Sequence, residues 1–306
     1  MDRFDAIQAF VAVARAGGFS AASRALSAPV ATISRKVALL EESLGVRLFV
    51  RSTRHVALTD GGQRYFEACS RVLDDLRDAD EQVTGEYRQP KGDLVIAAPL
   101  GFGRSHVQPV VHDFLRTYPL VDVHLQLADR VVPLVEEHID CAVRISALDD
   151  SALVARRLGE IRVLVCAAPA YLAARGTPEH PASLASHDCI SWTTLGSYRT
   201  WEFQLQPGRM PELVPVHVRL STTTPESAVQ AAIEGLGLVQ ATSYQVAPAV
   251  TRGDLVPLLR PFEAAPTPVH LVYPGRRLTP LKLRAFLEFA APRLTQRLDE
   301  VERAFR

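Results

Sequence analysis

Phe19-Ser-Ala-Ala-Ser-Arg-Ala-Leu26, Ser27-Ala28-Pro29, and Val30-Ala-Thr-Ile-Ser-Arg-Lys-Val-Ala-Leu-Leu-Glu-Glu-Ser-Leu44 decide the fold of the first part of this 306-residue chain. Ser20 is a good N-cap for a short helix through Leu26. Ser27-Ala28-Pro29 breaks the pattern. Ile33, Val37, Leu40 and Leu44 then recur on one helical face, and Gly45 ends it. Upstream, Phe4, Ile7, Phe10, Val11 and Ala14 follow the same period and stop at Gly17-Gly18. Two helices joined by a short break, behind a third, predict a helix-turn-helix. Downstream, the β-prone pieces 46–51 and 56–59 flank a polar basic tip, Ser52-Thr53-Arg54-His55, which reads as a hairpin or wing.

From Asp60 to about Val83 the spacing of Tyr65, Cys69, Val72, Leu76, Ala79 and Val83 alternates four and three. That is a heptad-like seam, expected to pair with a second copy; the competing reading is an amphipathic helix lying on its own domain. Residues 85–91 read as a hinge. From Gly92 onward strands alternate with helices. Strands are expected at 94–98, 121–127, 141–145, 163–167, 189–192, 214–220, 236–241, 255–259 and 269–273. Helices are expected at 105–117, 131–139, 225–234 and 281–298. This alternation predicts α/β architecture with parallel sheet. The expected organisation is an all-α winged helix-turn-helix (1–59), a long linker helix with hinge (60–90), and a two-subdomain α/β region (91–306).

Composition excludes several classes. The formal net charge is zero, with 47% hydrophobic and 22% charged residues, so the chain is neither disordered nor a basic coat for nucleic acid. Residues 1–60 nevertheless carry eight Lys/Arg against five Asp/Glu, a local excess suited to phosphate. No uncharged apolar run reaches the ~20 residues of a membrane span, and no secretion-signal pattern opens the chain, so a cytoplasmic protein without membrane contact is expected. Cys69, Cys141, Cys166 and Cys189 are widely spaced and read as structural thiols. Motifs for a nucleophile elbow, a phosphate loop or a His-Glu-x-x-His metal site do not occur, and no enzyme, metal or cofactor is expected.

In a helix-turn-helix the N-terminal residues of the second helix reach base edges in the major groove. Here they are Pro29, Val30, Ala31, Thr32, Ser34 and Arg35. Arg35 suits a bidentate bond to guanine, and Val30 and Ala31 suit a thymine methyl. Ser20 and Ser34 are candidate phosphate donors, with Lys36 as a further cation. Arg51, Ser52 and Arg54 at the wing are placed for backbone or minor-groove contacts. The competing reading is a plain three-helix packing unit with a charged face.

Several fixed-spacing blocks narrow the choice. They are Phe10-Val11-Ala12-Val13-Ala14, Gly18-Phe19-Ser20-Ala21-Ala22-Ser23-Arg24-Ala25-Leu26, Thr32-Ile33-Ser34-Arg35, Leu40-Glu41, Leu44-Gly45-Val46-Arg47-Leu48-Phe49 and Leu58-Thr59-Asp60-Gly61-Gly62. Together they resemble the LysR-type transcriptional regulators of bacteria. Pro29-Val30 departs from the polar residues of many members. The resemblance continues through Phe114-Leu115-x-x-Tyr118-Pro119, Asp140-Cys141-Ala142-Val143-Arg144-Ile145, Ala168-Pro169-Ala170-Tyr171-Leu172, Gly235-Leu236-Gly237 and Gly253-Asp254-Leu255-Val256, and so covers essentially the whole chain. It implies a periplasmic-binding-protein-like effector domain with a ligand cleft. Subdomain I would span about 91–162 and 267–306, and subdomain II about 163–266. It also implies a homodimer or homotetramer on an inverted-repeat site in double-stranded DNA, a small-molecule effector, and RNA polymerase as a candidate partner.

In open α/β sheets ligands sit beyond the carboxyl ends of strands, where helix starts point N–H groups outward. This nominates Leu100, Gly101 and Phe102 after the first strand, Ser146 after strand 141–145, Thr222 and Thr223 before Pro225, and Thr242. A carboxylate is the candidate anion for two of these helix starts. Tyr198 is a candidate apolar lining residue, and His138 and Trp201 are expected to pack in the core. Two alternatives stay open: a solute-binding protein without regulatory role, and a redox-sensing regulator using the cysteines.

Overall fold

Asp2 opens the first helix, its carboxylate accepting the Phe4 N–H at 2.9 Å. The computed structural model describes residues 2–51, 56–84, 89–148, 153–192, 199–206, 208–275 and 279–306; for residues 51, 71, 74, 75 and 77–84 only the backbone is described. These residues form two compact units, 1–89 and 90–306. Among them, no helix is long and apolar enough to cross a membrane.

The first unit contains α1 (Arg3–Ala16), α2 (Phe19–Ala25), α3 (Val30–Leu44), β1 (Phe49–Arg51), β2 (Val56–Leu58) and α4 (Asp60–Thr84). Its core closes around Phe10, Ile33, Leu40 and Leu48, all fully buried. The Phe10 ring meets Phe49 at 5.2 Å and Tyr65 at 5.5 Å between centroids. Each such side chain contributes roughly 1.5–3 kcal/mol by leaving water. Helix α2 begins two residues earlier than its sequence suggests. Gly18 is the N-cap, without a side-chain bond, so Ser20 lies exposed in the first turn instead of capping it.

Two polar devices hold the wing. Glu41 is only 4% exposed, yet its Oε1 accepts the Leu48 N–H at 2.8 Å and the Phe49 N–H at 3.1 Å. The Thr59 hydroxyl accepts the Gly62 N–H at 2.9 Å and donates to the Arg47 carbonyl at 2.8 Å. A Cβ on Gly62 would run into the Leu48 carbonyl oxygen, so this close approach requires glycine. Helix α4 thus starts locked to the wing.

The seam of α4 divides. Cys69 is buried and Tyr65 half-buried, and both pack into the first unit's own core beside α1. This corrects the expectation that the whole seam faces a second copy: its first part packs on α1, as the competing reading has it. Val72 and Leu76 stay exposed, at 61% and 43%. The Val83 side chain lies outside the described residues.

The second unit is built on two five-stranded sheets. Its elements are β3 (Gly92–Ala98), α5 (Leu100–Phe102), a π turn (Gly103–Val107), α6 (Gln108–Thr117), β4 (Val121–Leu127), β5 (Cys141–Ile145) and β6 (Leu153–Ile161). Then follow β7 (Val163–Ala167), α7 (Pro169–Arg175), β8 (Cys189–Trp192), β9 (Thr200–Phe203), β10 (Glu212–Pro215), β11 (Val218–Thr222) and α8 (Pro225–Ile233). The chain closes with β12 (Leu238–Thr242), α9 (Ser243–Arg252), β13 (Val256–Leu258), β14 (Thr267–Pro274) and α10 (Leu281–Arg303). The first sheet runs β4-β3-β5-β14-β6 and the second β11-β8-β12-β7-β13, while β9 and β10 pair as a separate ribbon.

Both sheets are mixed rather than purely parallel. Strand β14 is antiparallel to β5 and β6, and β7 is antiparallel to β12 and β13. The first helix begins at Leu100, five residues before its expected start, because Pro99 sets the turn and the Leu100 N–H finds an acceptor in Asp129. Residues 131–139 form turns, not a helix: Pro133 interrupts the segment and His138 takes a positive φ of 55°. His138 is exposed there, not in the core. The expected strand 214–220 is two strands, β10 and β11, in different sheets. Helix α10 crosses between the cores. Phe286, Leu294 and Leu298 pack with the first sheet, and Val301 and Phe305 pack with the second, although sequence order puts them with the first subdomain.

Behind the first helix start lies an aromatic group. Phe102 is fully buried and stacks on His106 at 4.8 Å and 26°, and Tyr244 meets both rings edge-on. His106 is 8% exposed, and its Nδ1 has no hydrogen-bond partner among the described residues. Burial, with help from Arg297 and against Glu300, pushes its pKa down to about 4.

Two stability predictions follow from these buried groups. Glu41→Ala leaves two buried N–H groups unpaired and should cost about 2–4 kcal/mol in urea unfolding, with Glu41→Gln milder because an acceptor oxygen remains. For His106, the unfolded chain binds a proton below about pH 6.5 and the folded chain only near pH 4. The unfolded state therefore holds more protons in that window. Stability is full above it and falls as pH drops through it, by about 3 kcal/mol for this group. His106→Gln should flatten that part of the stability–pH profile relative to the parent; parallel profiles would refute the assignment.

Candidate functional site

Helix α3 presents two faces. Ile33, Val37 and Leu40 turn into the core, which leaves Ala31, Thr32 and Arg35 exposed on the opposite side with Ser34 half-buried. Pro29 is the N-cap of α3, and Val30 behind it is 42% exposed. The turn before it is fixed by the Ser23 hydroxyl donating to the Ala28 carbonyl at 2.6 Å and by Ser27 at φ 49°. Lys36 points the other way: its Nζ pairs with Asp5 Oδ2 of α1 at 3.0 Å. Its ammonium therefore ties α3 to α1. Strands β1 and β2 pair antiparallel from Phe49↔Leu58 to Arg51↔Val56, so the basic tip joins them. Ser52 and Arg54 lie outside the described residues, as does the side chain of Arg51. An exposed helix N-terminus beside a two-stranded wing is a shape that enters a major groove.

The second unit carries a crevice set by strand order. Strand β3 is parallel to β4 on one side and β5 on the other, so the connections leaving its end and that of β4 diverge. A cavity of about 610 Å³ opens there, lined by Pro99, Asp129, Val131, Arg144, Ser146 and Leu148 among others. The second sheet repeats the device. Strand β8 is parallel to β11 and β12, and a smaller cavity of about 170 Å³ lies at its end, with Ser191, Trp192, Trp201, Gln240 and Thr242 in its wall. The two edges meet at Gly101, where a Cβ would stand 3.3 Å from the Tyr244 hydroxyl and 3.5 Å from Glu226 Oε1. Arg104 Nη2 also bridges to Glu226 Oε1 at 2.7 Å.

Of the nominated cleft residues, Ser146 lines the larger cavity, Thr242 lines the smaller one, and Gly101 stands where the two edges meet; Leu100, Thr222 and Thr223 lie outside both cavity walls, Leu100 and Thr223 exposed and Thr222 half-buried. Phe102 does not, since it is fully buried behind the helix start. Trp201 is buried as expected, its Nε1 donating to Ser191 Oγ at 3.1 Å. Tyr198 lies outside the described residues.

The expected carboxylate cradle is altered. The Leu100 N–H donates to Asp129 Oδ1 at 2.9 Å, the Ser227 N–H to Thr224 Oγ1 at 3.4 Å, and the Thr242 N–H to Gln245 Oε1 at 3.1 Å. The Thr222 hydroxyl donates to the Thr224 carbonyl at 2.8 Å. Sequence reading missed Asp129, Glu226 and Tyr244. The rule that nominated Ser146 also reaches Asp129, which follows the end of β4, and Glu226 sits in the first turn after Pro225. Tyr244 carried no comparable signal. Burial pushes its hydroxyl pKa up, with the Asp129 and Glu226 carboxylates adding to the rise and hydrogen bonds to Thr242 and Gln245 opposing it.

The cysteines do not favour redox sensing. All four are free and buried, and burial pushes the thiols of Cys166 and Cys189 up to about 12. The reactive form is the thiolate, which such pockets suppress.

Residues 4–63 match the family described as bacterial regulatory helix-turn-helix protein, lysR family, and residues 87–295 match the LysR substrate binding domain. An HTH-type transcriptional repressor of Pseudomonas aeruginosa is 33% identical over 289 residues, covering 94% of this chain and 91% of the relative. Among solved structures, CrgA, a LysR-type transcriptional regulator from Neisseria meningitidis, aligns with a TM-score of 0.60 at 30% identity over 95% of this chain and 98% of its own. The virulence activator AphB of Vibrio cholerae aligns with a TM-score of 0.59 at 27% identity, covering 94% and 97%. With a winged helix-turn-helix in front of a two-sheet effector-binding domain, the chain belongs to the LysR family of transcriptional regulators.

Proposed function

We propose that this regulator binds an inverted-repeat site in duplex DNA as a homo-oligomer and responds to a small molecule held between the two sheets of residues 90–306. The observation that carries the DNA reading is the outward stripe of α3, where Ala31, Thr32 and Arg35 are exposed at the start of a helix whose other face is locked into the core. Arg35 is the base reader, suited to guanine O6 and N7. Ser20, Ser34 and the wing residues Arg51, Ser52 and Arg54 act on the phosphates, and Lys36 contributes through its hold on α1.

Pairing runs through α4. Its exposed Leu76 lines a groove of about 730 Å³ with Val11, Ala12, Leu26 and Leu73, to which Gln8 and Arg15 add polar groups, and Val72 is exposed on the same helix. A second copy's helix fits such a groove, and a two-fold dimer presents two recognition helices to two half-sites. The cleft residues proposed to face the effector are Leu100, Gly101, Ser146, Thr222, Thr223 and Thr242. A ligand that binds two arrangements of the oligomer unequally shifts the DNA-bound state by that difference. The site of action is the cytoplasm, where the DNA is.

Two measurements test this. On a duplex selected from a random pool by the parent chain, Arg35→Ala should lose about 1–3 kcal/mol of discrimination at one base pair per half-site. Equal preference in both proteins sinks the base-reading role. Val72→Glu with Leu76→Glu should lower the oligomeric state in sedimentation while the first unit stays folded; an unchanged assembly would move pairing elsewhere.

A further inference from the structure

Both tryptophans of the chain, Trp192 and Trp201, stand in the wall of the smaller cavity at the end of β8. Resting on the reading of residues 90–306 as the effector-binding unit, we propose that this cavity is a subsite of its own. Its guest is one small uncharged ring that carries a hydrogen-bond acceptor. The two cavities share no lining residue, so what enters one is not set by the walls of the other.

Size and charge come first. The volume of about 170 Å³ is well below the roughly 300–1,000 Å³ of pockets that take larger ligands. It is close to the ~150 Å³ apolar cavity that accepts one benzene molecule. A single six-membered ring therefore fits, and two fused rings do not. The described wall residues, which include Val163, Ser191, Thr200 and Gln240 beside the two indoles, are all uncharged. An ion moved here leaves water without a counter-charge, whereas an uncharged ring gains by leaving it.

The polar groups of the wall then specify the guest. Trp192 Nε1 donates to the Gln240 carbonyl at 3.2 Å, and Trp201 Nε1 donates to Ser191 Oγ at 3.1 Å. Gln240 Nε2 donates to the Glu202 carbonyl at 3.1 Å, which fixes its amide to the β9–β10 ribbon. With both indole N–H groups engaged, the tryptophans offer a guest their ring carbons, which suit another ring. One donor is left over. Ser191 is only 3% exposed, and its oxygen accepts from Trp201, but its own proton has no acceptor among the described residues. Buried hydroxyls ordinarily use that proton. A ring nitrogen or oxygen on the guest completes the set.

Because the chain's two tryptophans both line this wall, the tryptophan emission of the full chain reports on it directly. The probes are pyridine, benzene, nicotinate and 4-tert-butylpyridine at neutral pH. Pyridine and benzene should change the emission saturably, and the charged and the bulky probe should not. Val163→Phe, at a partly exposed wall position, fills the cavity and should abolish both responses. Ser146→Phe, in the larger cavity, should leave them intact. Ser191→Ala should weaken pyridine about fivefold, the worth of one hydrogen bond, and spare benzene, whose binding shows that the site remains formed. Equal loss of both probes in Ser191→Ala refutes the hydroxyl's role. Nicotinate binding as tightly as pyridine refutes an uncharged guest. Responses lost in Ser146→Phe and kept in Val163→Phe, or no saturable response at all, overturn the subsite. Gel shifts on the selected duplex separate the two readings. Pyridine binding that is lost in Val163→Phe, yet never alters DNA affinity, upholds the subsite and overturns the effector role of the unit.

Discussion

Where the chain first passes from one sheet to the other it buries a charge. Arg162 stands between β6 and β7, 15% exposed, with Nη1 3.0 Å from Glu263 Oε2 and Nε 3.0 Å from Glu302 Oε2. Its guanidinium also lies 5.1 Å from the Phe305 ring centre, and its backbone exchanges two hydrogen bonds with Ser243. Taking such ions out of water is costly, and only a well-formed arrangement offsets the cost. The group gathers the β6–β7 crossing, the segment before β14, the start of α9 and the end of α10. These are the places where the two lobes join, so the facing of their strand ends depends on it.

Given that junction, the cleft follows from strand order. Divergent connections around β3 and around β8 each leave a crevice at the carboxyl ends. Opposing the two crevices brings Gly101 against Tyr244 and Arg104 against Glu226. Those residues stand more than a hundred positions apart in the chain. The larger side chains needed for a packed floor, Phe102 and His106, lie beneath the helix start instead of in the opening.

The first unit works by dividing labour along single helices. Helix α3 commits one side to the core and leaves the other bare. Helix α4 commits Tyr65 and Cys69 to its own domain, then runs on with Val72 and Leu76 uncovered. Glu41 and Gly62 hold the wing between these two helices, so the polar and the small residue of the blocks Leu40-Glu41 and Gly61-Gly62 have a structural reason independent of DNA.

The sequence by itself determined the winged helix-turn-helix and the alternating α/β region, because periodicity, caps and strand runs are local properties written in neighbouring residues. It misjudged elements whose form depends on distant partners. The helix at Leu100 starts early because Asp129, 29 residues away, accepts its first N–H. Residues 214–220 divide because β11 joins β8 and β10 joins β9. Only the tertiary structure decided that Asp129, Glu226 and Tyr244 share one seam, that Lys36 turns to Asp5, and that half of the α4 seam is inward. Each of these depends on which surfaces meet, and no local pattern records that.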